Sequence, residues 1–350
     1  MHRVGRMQLP EMISDEQQLD DVLTVPSDAL VASVAGLSGN VVVLGVGGKM
    51  GGTLAVRLRR ALERAGSSAR VIGVSRFSDE HARQFLEQRA VETVTADVLD
   101  PDQVAALPDA DRVVYLVGRK FGTSGAEAET WAMNAVPPLF VCRRYAGIPL
   151  VAYSTGAVYD LVPVASGGSR EHDPLEPRGE YGNAAVARER LFQWASIRFG
   201  TPVCLIRLYY ANDLRYGVIR DIAENVYNER PVDLSMGFVN LIWQGDAVDL
   251  SLRAFACAEV PASALNITGP ETVSVRYLAQ RFGELLGKTP VLSNESASDA
   301  LLGNASRAAG LFGYPQVPLE HVIRWTAGWV ASGGRGLGKP THWEVRDGRY

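Results

Sequence analysis

A doubly wound α/β fold, with a parallel sheet covered by helices on both faces and a smaller C-terminal lobe, is predicted by three features of the 350-residue chain. Short β-branched runs alternate with longer helical ones from Asn40 to about residue 210, a glycine-rich turn follows the first of those runs directly, and the alternation loosens beyond it. Alternation of this kind implies βαβ units, whose strands lie parallel and bind ligands at their carboxyl ends.

Residues 1–39 carry no strand pattern, and DEQQLDDVL and DALVASVAGL read as two short helices of an N-terminal extension. The core then runs NVVVLG (strand), TLAVRLRRALERAG (helix), ARVIGVS (strand), a helix near 79–89, VETVTADV and DRVVYLVG (strands). A helix over about 126–146, the strand PLVAYS, a helix over about 181–199 and the strand in PVCLIRLYY complete a domain predicted to span 40–210. In 211–330 the spacing predicts helices at about 216–229, 246–258 and 274–287 and the strands VNLIW and ALNIT, some returning to the core sheet. This segment reads as a substrate-facing lobe. Residues 331–350 read as a tail: its glycine-rich start implies a mobile connection, and THWEVRDGRY has the residues of a strand that closes over the site or crosses to a second subunit.

Composition narrows the partners. A hydrophobic content of 47%, 21% charged residues and a net charge of −4 fit a globular protein with small-molecule partners and argue against one built to grip nucleic acid or an acidic membrane. Cys142, Cys204 and Cys257 lie far apart with no paired spacing, which predicts neither a disulfide framework nor a metal site. Arg3 and Arg6 have no apolar run behind them, and no segment supplies the roughly 18 apolar residues of a membrane span. A cytoplasmic location is expected.

The strongest local signal is VVVLGVGGKMGGTLA. Gly45, Gly48 and Gly51 follow a strand and open a helix, so that backbone N–H groups and the helix N-terminus face a pyrophosphate without intervening side chains; Lys49 and Met50 lie inside the turn. The next strand ends in Ser75 and Arg76, where dinucleotide folds often carry an acidic residue for the ribose. A hydroxyl and a cation there suit a 2′-phosphate and favour NADP over NAD. A solvated loop cation is the competing reading of Arg76.

With these motifs in order, the segment 40–290 resembles the extended short-chain dehydrogenase/reductase superfamily, the NAD(P)-dependent epimerases and dehydratases, and a Rossmann-type domain is what the resemblance implies. Gly45-x-x-Gly48-x-x-Gly51 is similar to its fingerprint. Asp97-Val98 falls at the adenine-contacting position, and Gly118 where the backbone passes under the cofactor. WAMNAVPPLF resembles the helix carrying the family's structural asparagine, here Asn134, a substrate-side candidate. VAYSTGAVYD is similar to the strand end that carries the catalytic Ser/Thr, which implies Thr155, and RGEYGNAAVARERL to the segment carrying Tyr-x-x-x-Lys, which implies Tyr181.

The lysine of that pattern is absent, for four residues beyond Tyr181 stands Ala185. In the family's chemistry, hydride passes from a hydroxyl carbon to the nicotinamide while its proton passes to a tyrosinate that the lysine stabilises. Three accounts are open. Lys120, after the strand ending at Gly118, substitutes as the cation; or Tyr181 acts with Thr155 as an acid or hydrogen-bond donor in an altered reaction; or the fold persists as a catalytically degenerate NADP-binding regulatory or assembly protein. The resemblance further implies a carbohydrate-derived substrate, free or nucleotide-linked, with Arg207, Asn212 and His172 as candidate contacts beside Arg215, Arg220, Tyr209 and Tyr210. Asp160 and Glu180 are candidate general bases, though solvated carboxylates are the plainer reading. A homodimer built on the helices at 126–146 and 181–199 is expected from the resemblance alone.

Overall fold

A computed structural model of the chain describes residues 9–120 and 125–349. Its centre is a seven-stranded, all-parallel sheet. The strands β1 (Asn40–Leu44), β2 (Arg70–Ser75), β3 (Glu92–Thr95), β4 (Arg112–Tyr115) and β5 (Leu150–Thr155) are followed by Val203–Leu208 and Ser263–Ile267. From one edge to the other the order is 263–267, 203–208, β5, β4, β1, β2, β3. The chain order therefore reverses between β1 and β4, which opens a crevice at their carboxyl ends where ligands bind in such sheets. β1, β4, β5 and Val203–Leu208 are buried almost throughout, as runs of Val, Leu and Ile covered on both faces must be.

Helices pack on both faces. The N-terminal extension forms α1 (Glu16–Thr24), capped by Asp15, and α2 (Asp28–Val34), capped by Ser27. α3 (Gly51–Arg64) follows the glycine turn, α4 (Glu80–Glu87) and α5 (Pro101–Ala105) flank β3, and α6 (Glu127–Ala135), α7 (Pro137–Arg144) and α8 (Gly179–Phe199) cover the other side. The single helix expected over 126–146 is thus two. Pro137 and Pro138 start the second, because a proline ring has no N–H to continue the first.

The lobe contains α9 (Val218–Tyr227), α10 (Gln244–Arg253), α11 (Val275–Leu286), α12 (Ser306–Phe312) and α13 (Leu319–Ala331). Its core joins Ile219, Ile222, Trp243, Phe282 and Trp325 to Leu19 and Leu23 of α1, so the extension belongs to the lobe's core as well as lying on α3. Ser263–Ile267 returns to the main sheet beside Val203–Leu208, as expected for ALNIT. One buried knot fastens three segments. Arg57 of α3 donates to Asp249 of α10 (3.1 and 3.3 Å) and to the Leu23 carbonyl (2.9 Å), while Ser27 donates to the same carboxylate through N and Oγ (3.0 and 2.8 Å).

The tail departs from expectation. Residues 332–349 form turns and bends with no strand, strapped down by specific bonds: Leu337 N to the Arg215 carbonyl (3.0 Å), Thr341 N and Oγ1 to Asp221 Oδ2 (2.8 and 2.6 Å), and Arg346 Nη2 to Asp299 Oδ1 (2.5 Å). Trp343 is buried in the lobe core. Backbone groups that hold side chains and carbonyls of several different elements cannot also repeat a ladder, which is why strand-forming residues make no strand here. Arg3, Arg6 and Tyr350 lie outside the described residues.

Candidate functional site

The site begins at the turn between β1 and α3. Gly45 has φ +82°, in the left-handed region, and a Cβ at Gly51 would lie 2.3 Å from the Val46 carbonyl oxygen; both positions require glycine. No side chain caps the N-terminus of α3, so its first-turn N–H groups face the crevice ready for an anion. Two cavities meet at this turn and share Gly45, Gly48, Leu116, Gly118 and Lys120 in their walls. One, of about 630 Å³, reaches Ser75, Arg76, Asp97 and Val98. The other, of about 400 Å³, reaches Lys49, Met50, Gly51, Thr155 and Tyr181. A paired space of this form fits a dinucleotide laid across the turn with its two ends in opposite cavities.

Every residue expected to bind the cofactor borders this paired space, as do Thr155, Tyr181 and Lys120, whereas the candidate bases Asp160 and Glu180 do not. On the adenosine side, Arg76 Nη1 lies 3.9 Å from Asp97 Oδ2 and is well exposed. A solvated, loosely paired guanidinium of this kind remains available to a phosphate. On the reacting side, Thr155 ends β5, and its hydroxyl accepts from Ala157 N at 3.2 Å. Tyr181 lies in the first turn of α8. That helix approaches Thr155 closely because residue 182 is glycine: a Cβ there would stand 2.8 Å from the Ala157 carbonyl.

The position of the missing lysine is filled by packing. Ala185 is fully buried against Val158, Tyr159 and Tyr209. Cations reach the cavity from two other places. Lys120 extends from the end of β4, and burial holds its pKa down to about 8 against the pull of Asp221 and Glu344. Lys49 rises from the glycine turn, and its Nζ stands 3.4 Å from the centroid of the Tyr216 ring. Burial first, then repulsion from Lys120 and Lys339, brings its pKa to about 7, with Asp221 opposing. Asp221 is itself pushed up by burial, despite its two bonds from Thr341. The tail thus reaches the site: Thr341 lines the cavity, and Lys339 and Glu344 act on its lysines.

Among the expected substrate contacts, Tyr209 and Tyr210 line the reacting cavity, and four others lie elsewhere. Arg207 is 3% exposed and donates to Glu189 at 2.7 Å, to the Tyr159 hydroxyl at 2.5 Å and to the Glu171 carbonyl at 2.9 Å; Ser154 Oγ bonds the same Glu189 at 2.5 Å. A buried carboxylate demands this cation, so the guanidinium is committed to the core. Asn212 is buried, donating to the Tyr210 carbonyl (2.7 Å) and accepting from Ile219 N (3.2 Å). Asn134 holds the Arg119 carbonyl (3.0 Å) and accepts from Arg188 (2.8 Å). His172 is exposed on its loop beside Asp173. None of the four borders the paired cavities.

Other expected groups are also engaged. Arg215 joins Asp213 and Asp20 (both 3.0 Å), Arg220 joins Glu224 (2.5 Å), Asp160 joins Arg178 (2.5 Å), and Glu180 accepts from Trp131 Nε1 (2.5 Å). Asp160, held below the usual carboxylate range by Arg178, is a structural anion. Sequence reasoning missed Tyr216, Gln244 and Thr341, which all line the reacting cavity. They come from irregular loops and from the start of α10, where no periodicity or motif spacing marks a wall-forming residue.

Residues 41–212 match the model of the NAD dependent epimerase/dehydratase family. No curated protein sequence matches the chain. Among solved structures, a UDP-glucose 4-epimerase from Thermotoga maritima is similar over 84% of this chain and 99% of its own, with 18% identity and a TM-score of 0.67. A dTDP-glucose 4,6-dehydratase from Bacillus anthracis, solved with NAD, has 16% identity, a TM-score of 0.69 and coverage of 84% and 97%. An epimerase from Methanothermobacter thermautotrophicus has 19% identity, a TM-score of 0.72 and coverage of 87% and 96%. At these identities the likeness is one of fold, and it agrees with the sheet order and the glycine turn found here. The segment 41–212, just under half of the chain, is thus similar to the NAD dependent epimerase/dehydratase family.

Proposed function

We propose that the protein is an NAD(P)-dependent enzyme of the epimerase, dehydratase or reductase type, acting on a sugar, sugar nucleotide or similar polyhydroxylated small molecule. The observation that carries this reading is the convergence of Thr155, Tyr181 and Lys120 on a cavity that continues over the glycine turn into a second one lined by Ser75, Arg76 and Asp97. Solved relatives in fold hold NAD with UDP-glucuronic acid or with UDP-glucose, which supports a dinucleotide beside a carbohydrate-derived ligand.

The glycine turn and the α3 N-terminus would hold the pyrophosphate, with Asp97 and Val98 at the adenine end. Ser75 and Arg76 would distinguish a 2′-phosphate, which makes NADP the preferred form and NAD the alternative. The nicotinamide, when bound, supplies a hydride acceptor and donor. Tyr181 then exchanges a proton with a substrate hydroxyl, Thr155 orients that hydroxyl by hydrogen bonding, and the Lys120 ammonium stabilises the phenolate where Ala185 does not. Burial that lowers the Lys120 pKa to about 8 sets its charge to change near neutral pH, where a proton relay operates best.

Lys120→Ala should abolish turnover and leave NADP affinity within a few fold; unchanged turnover overturns the assignment. A second reading, a dinucleotide-binding regulatory or assembly protein without turnover, is favoured by the closed packing of Ala185. It predicts that both redox forms bind and that no polyol changes the absorbance of bound NADP(H). As for assembly, Trp131, Val136, Trp194 and Ile197 stand exposed on or beside α6 and α8, which supports a homodimer through these helices. No helix among the described residues is long and apolar enough to cross a membrane; the cytoplasmic location is part of the proposal and does not follow from that.

A further inference from the structure

We propose that Arg188 supplies a fixed, buried positive charge beneath the path of the dinucleotide, and that this charge makes the protein hold the reduced coenzyme more tightly than the oxidised one. The inference rests on the reading of a dinucleotide laid across the glycine turn, and it adds to that reading a residue that lines neither cavity.

The first ground is where the guanidinium lies. Arg188 stands on α8 about two helical turns beyond Tyr181, on the same face, and is 3% exposed. Its Nη1 donates to the Val117 carbonyl at 3.3 Å and to Asn134 Oδ1 at 2.8 Å. Asn134 in turn donates to the Arg119 carbonyl at 3.0 Å, so the chain leaving β4 is pinned on both sides of Gly118. A Cβ at Gly118 would stand 2.6 Å from Nη1. The guanidinium therefore packs directly against the glycine that both cavities share in their walls, one residue away from the space where the dinucleotide crosses.

The second ground is the lack of a counterion. Among the described residues Arg188 joins no carboxylate: its partners are a carbonyl and an amide oxygen, and its Nε is buried without one. The acidic residues of α6 and α8 are engaged elsewhere, Glu189 with Arg207, Glu129 with Arg119, Glu180 with Trp131 and Glu127 with the Gly125 N–H. Tyr115 feels the charge, yet burial keeps its phenol protonated. An arginine retains its charge in a protein core, and a buried charge without a counterion is costly to the folded chain. The other charges around the cavities come in both signs: Lys49, Lys120 and Lys339 with Asp221 and Glu344 on the reacting side, Arg76 with Asp97 and Arg119 with Glu129 on the other. What offsets Arg188 is left to the ligand.

The third ground is the charge of the ligand. Hydride carries two electrons and one proton, so a reduced coenzyme is one unit more negative, net, than its oxidised form. A fixed cation beneath it favours the reduced form whichever way the ring lies, because the sign of a Coulomb interaction does not depend on direction. At about 10 Å and an effective dielectric of about 20–40, one unit of charge is worth about four- to fifteenfold in a binding constant. The guanidinium is held by its two bonds before any ligand arrives, so the interaction requires no rearrangement. A site with this bias draws hydride from the substrate, which suits one that enters as an alcohol rather than as a ketone.

The test is calorimetric titration of the full chain with NADP⁺ and NADPH, and with NAD⁺ and NADH beside them, for the wild type, Arg188→Met and Arg188→Lys. In the pair that binds better, the wild type should hold the reduced form at least about fourfold tighter than the oxidised form. The preference should persist between about 0.05 and 0.5 M salt, because a buried charge is screened little. Arg188→Met should weaken both forms, the reduced one at least about fourfold more, and Arg188→Lys, which keeps the charge, should retain the preference. A purely structural role would lower the urea midpoint or weaken both forms equally, and an unmoved preference in Arg188→Met overturns the proposal. So does a lysine variant that matches the methionine one. A wild type that binds the oxidised form as tightly as the reduced one also overturns it, and that result needs no variant to fold. If the wild type binds neither form of either coenzyme, the proposed function falls and this inference with it; if both forms bind and their preference ignores position 188, the inference falls alone.

Discussion

Arg207→Met offers the sharpest separation of a core cation from a substrate-binding one. Arg207 and Glu189 are an ion pair with side-chain exposures of 4% and 0%, and the guanidinium makes three contacts with the carboxylate at 2.7–3.2 Å. Methionine keeps the length of the stem and removes the charge. Glu189 is then left in the core without its cation, with the Ser154 hydroxyl as its remaining neighbour of those described, and Tyr159 loses its bond from Arg207 Nη1. Breaking a buried pair in this one-sided way costs about 3–5 kcal/mol, because a charge remains without compensation. The urea midpoint should fall with little change in slope. In the double variant Arg207→Met/Glu189→Gln no charge is left buried, the amide still accepts from Ser154, and more than half of the loss should return. A single variant that loses less than about 1 kcal/mol of stability while carbohydrate affinity collapses would refute the reasoning and return Arg207 to the substrate.

The remaining predictions concern the cofactor, the vacant lysine position and pH. Arg76→Ala should weaken NADP binding and leave NAD unchanged in calorimetry; equal weakening rejects the 2′-phosphate assignment. Ala185→Lys should not act as a repair, since it forces a long cation among Val158, Tyr159 and Tyr209. It should lower stability by at least about 1–3 kcal/mol in urea titration, and a gain in turnover without that loss would show that the pocket opens. For pH, Lys49 and Lys120 have pKa values of about 7 and about 8 when folded, whereas an unfolded lysine titrates near ~10.4. Between those values the unfolded chain binds more protons, so stability should rise with pH from about 7 to about 10. The rise should be shallower in Lys49→Met, and identical slopes in urea titrations across that range would contradict the burial of the amine.

Much of the frame was readable because it obeys local rules. Apart from β3, the sheet strands from Asn40 to Leu208 are largely apolar runs that need no partner to be recognised, and the glycines at 45 and 51 are forced by φ and by the approach of Val46. The cofactor-side candidates and Thr155, Tyr181 and Lys120 could be singled out for the same reason, and all of them line the paired cavities: each lies near the end of a regular element or in a turn whose chemistry is fixed by its neighbours. Of the substrate-side candidates, Tyr209 and Tyr210 line the reacting cavity, whereas Asn134, His172, Arg207 and Asn212 do not, on different physical grounds. Arg207 and Asn212 lie beside the cleft in sequence, but whether a polar side chain faces a ligand or a buried partner depends on what packs behind it, and Glu189 lies on a helix 18 residues away. Tyr216 and Thr341 reach the cavity through irregular loops, and Lys49 leaves its own turn for an aromatic ring supplied by the lobe. Contacts of that kind between distant segments have no signature in either segment alone.

The buried knot of Arg57, Asp249 and Ser27 bears on how anything enters. It clamps α3 to α10 while α1 shares the lobe's own core, so rotating the lobe away from the nucleotide domain would strip a carboxylate of its partners. The strap at 337–349 is held instead by a few bonds that can be broken one at a time. Lifting that strap would mean breaking those bonds and drawing Trp343 out of the lobe core, whereas lifting the lobe would mean opening the knot.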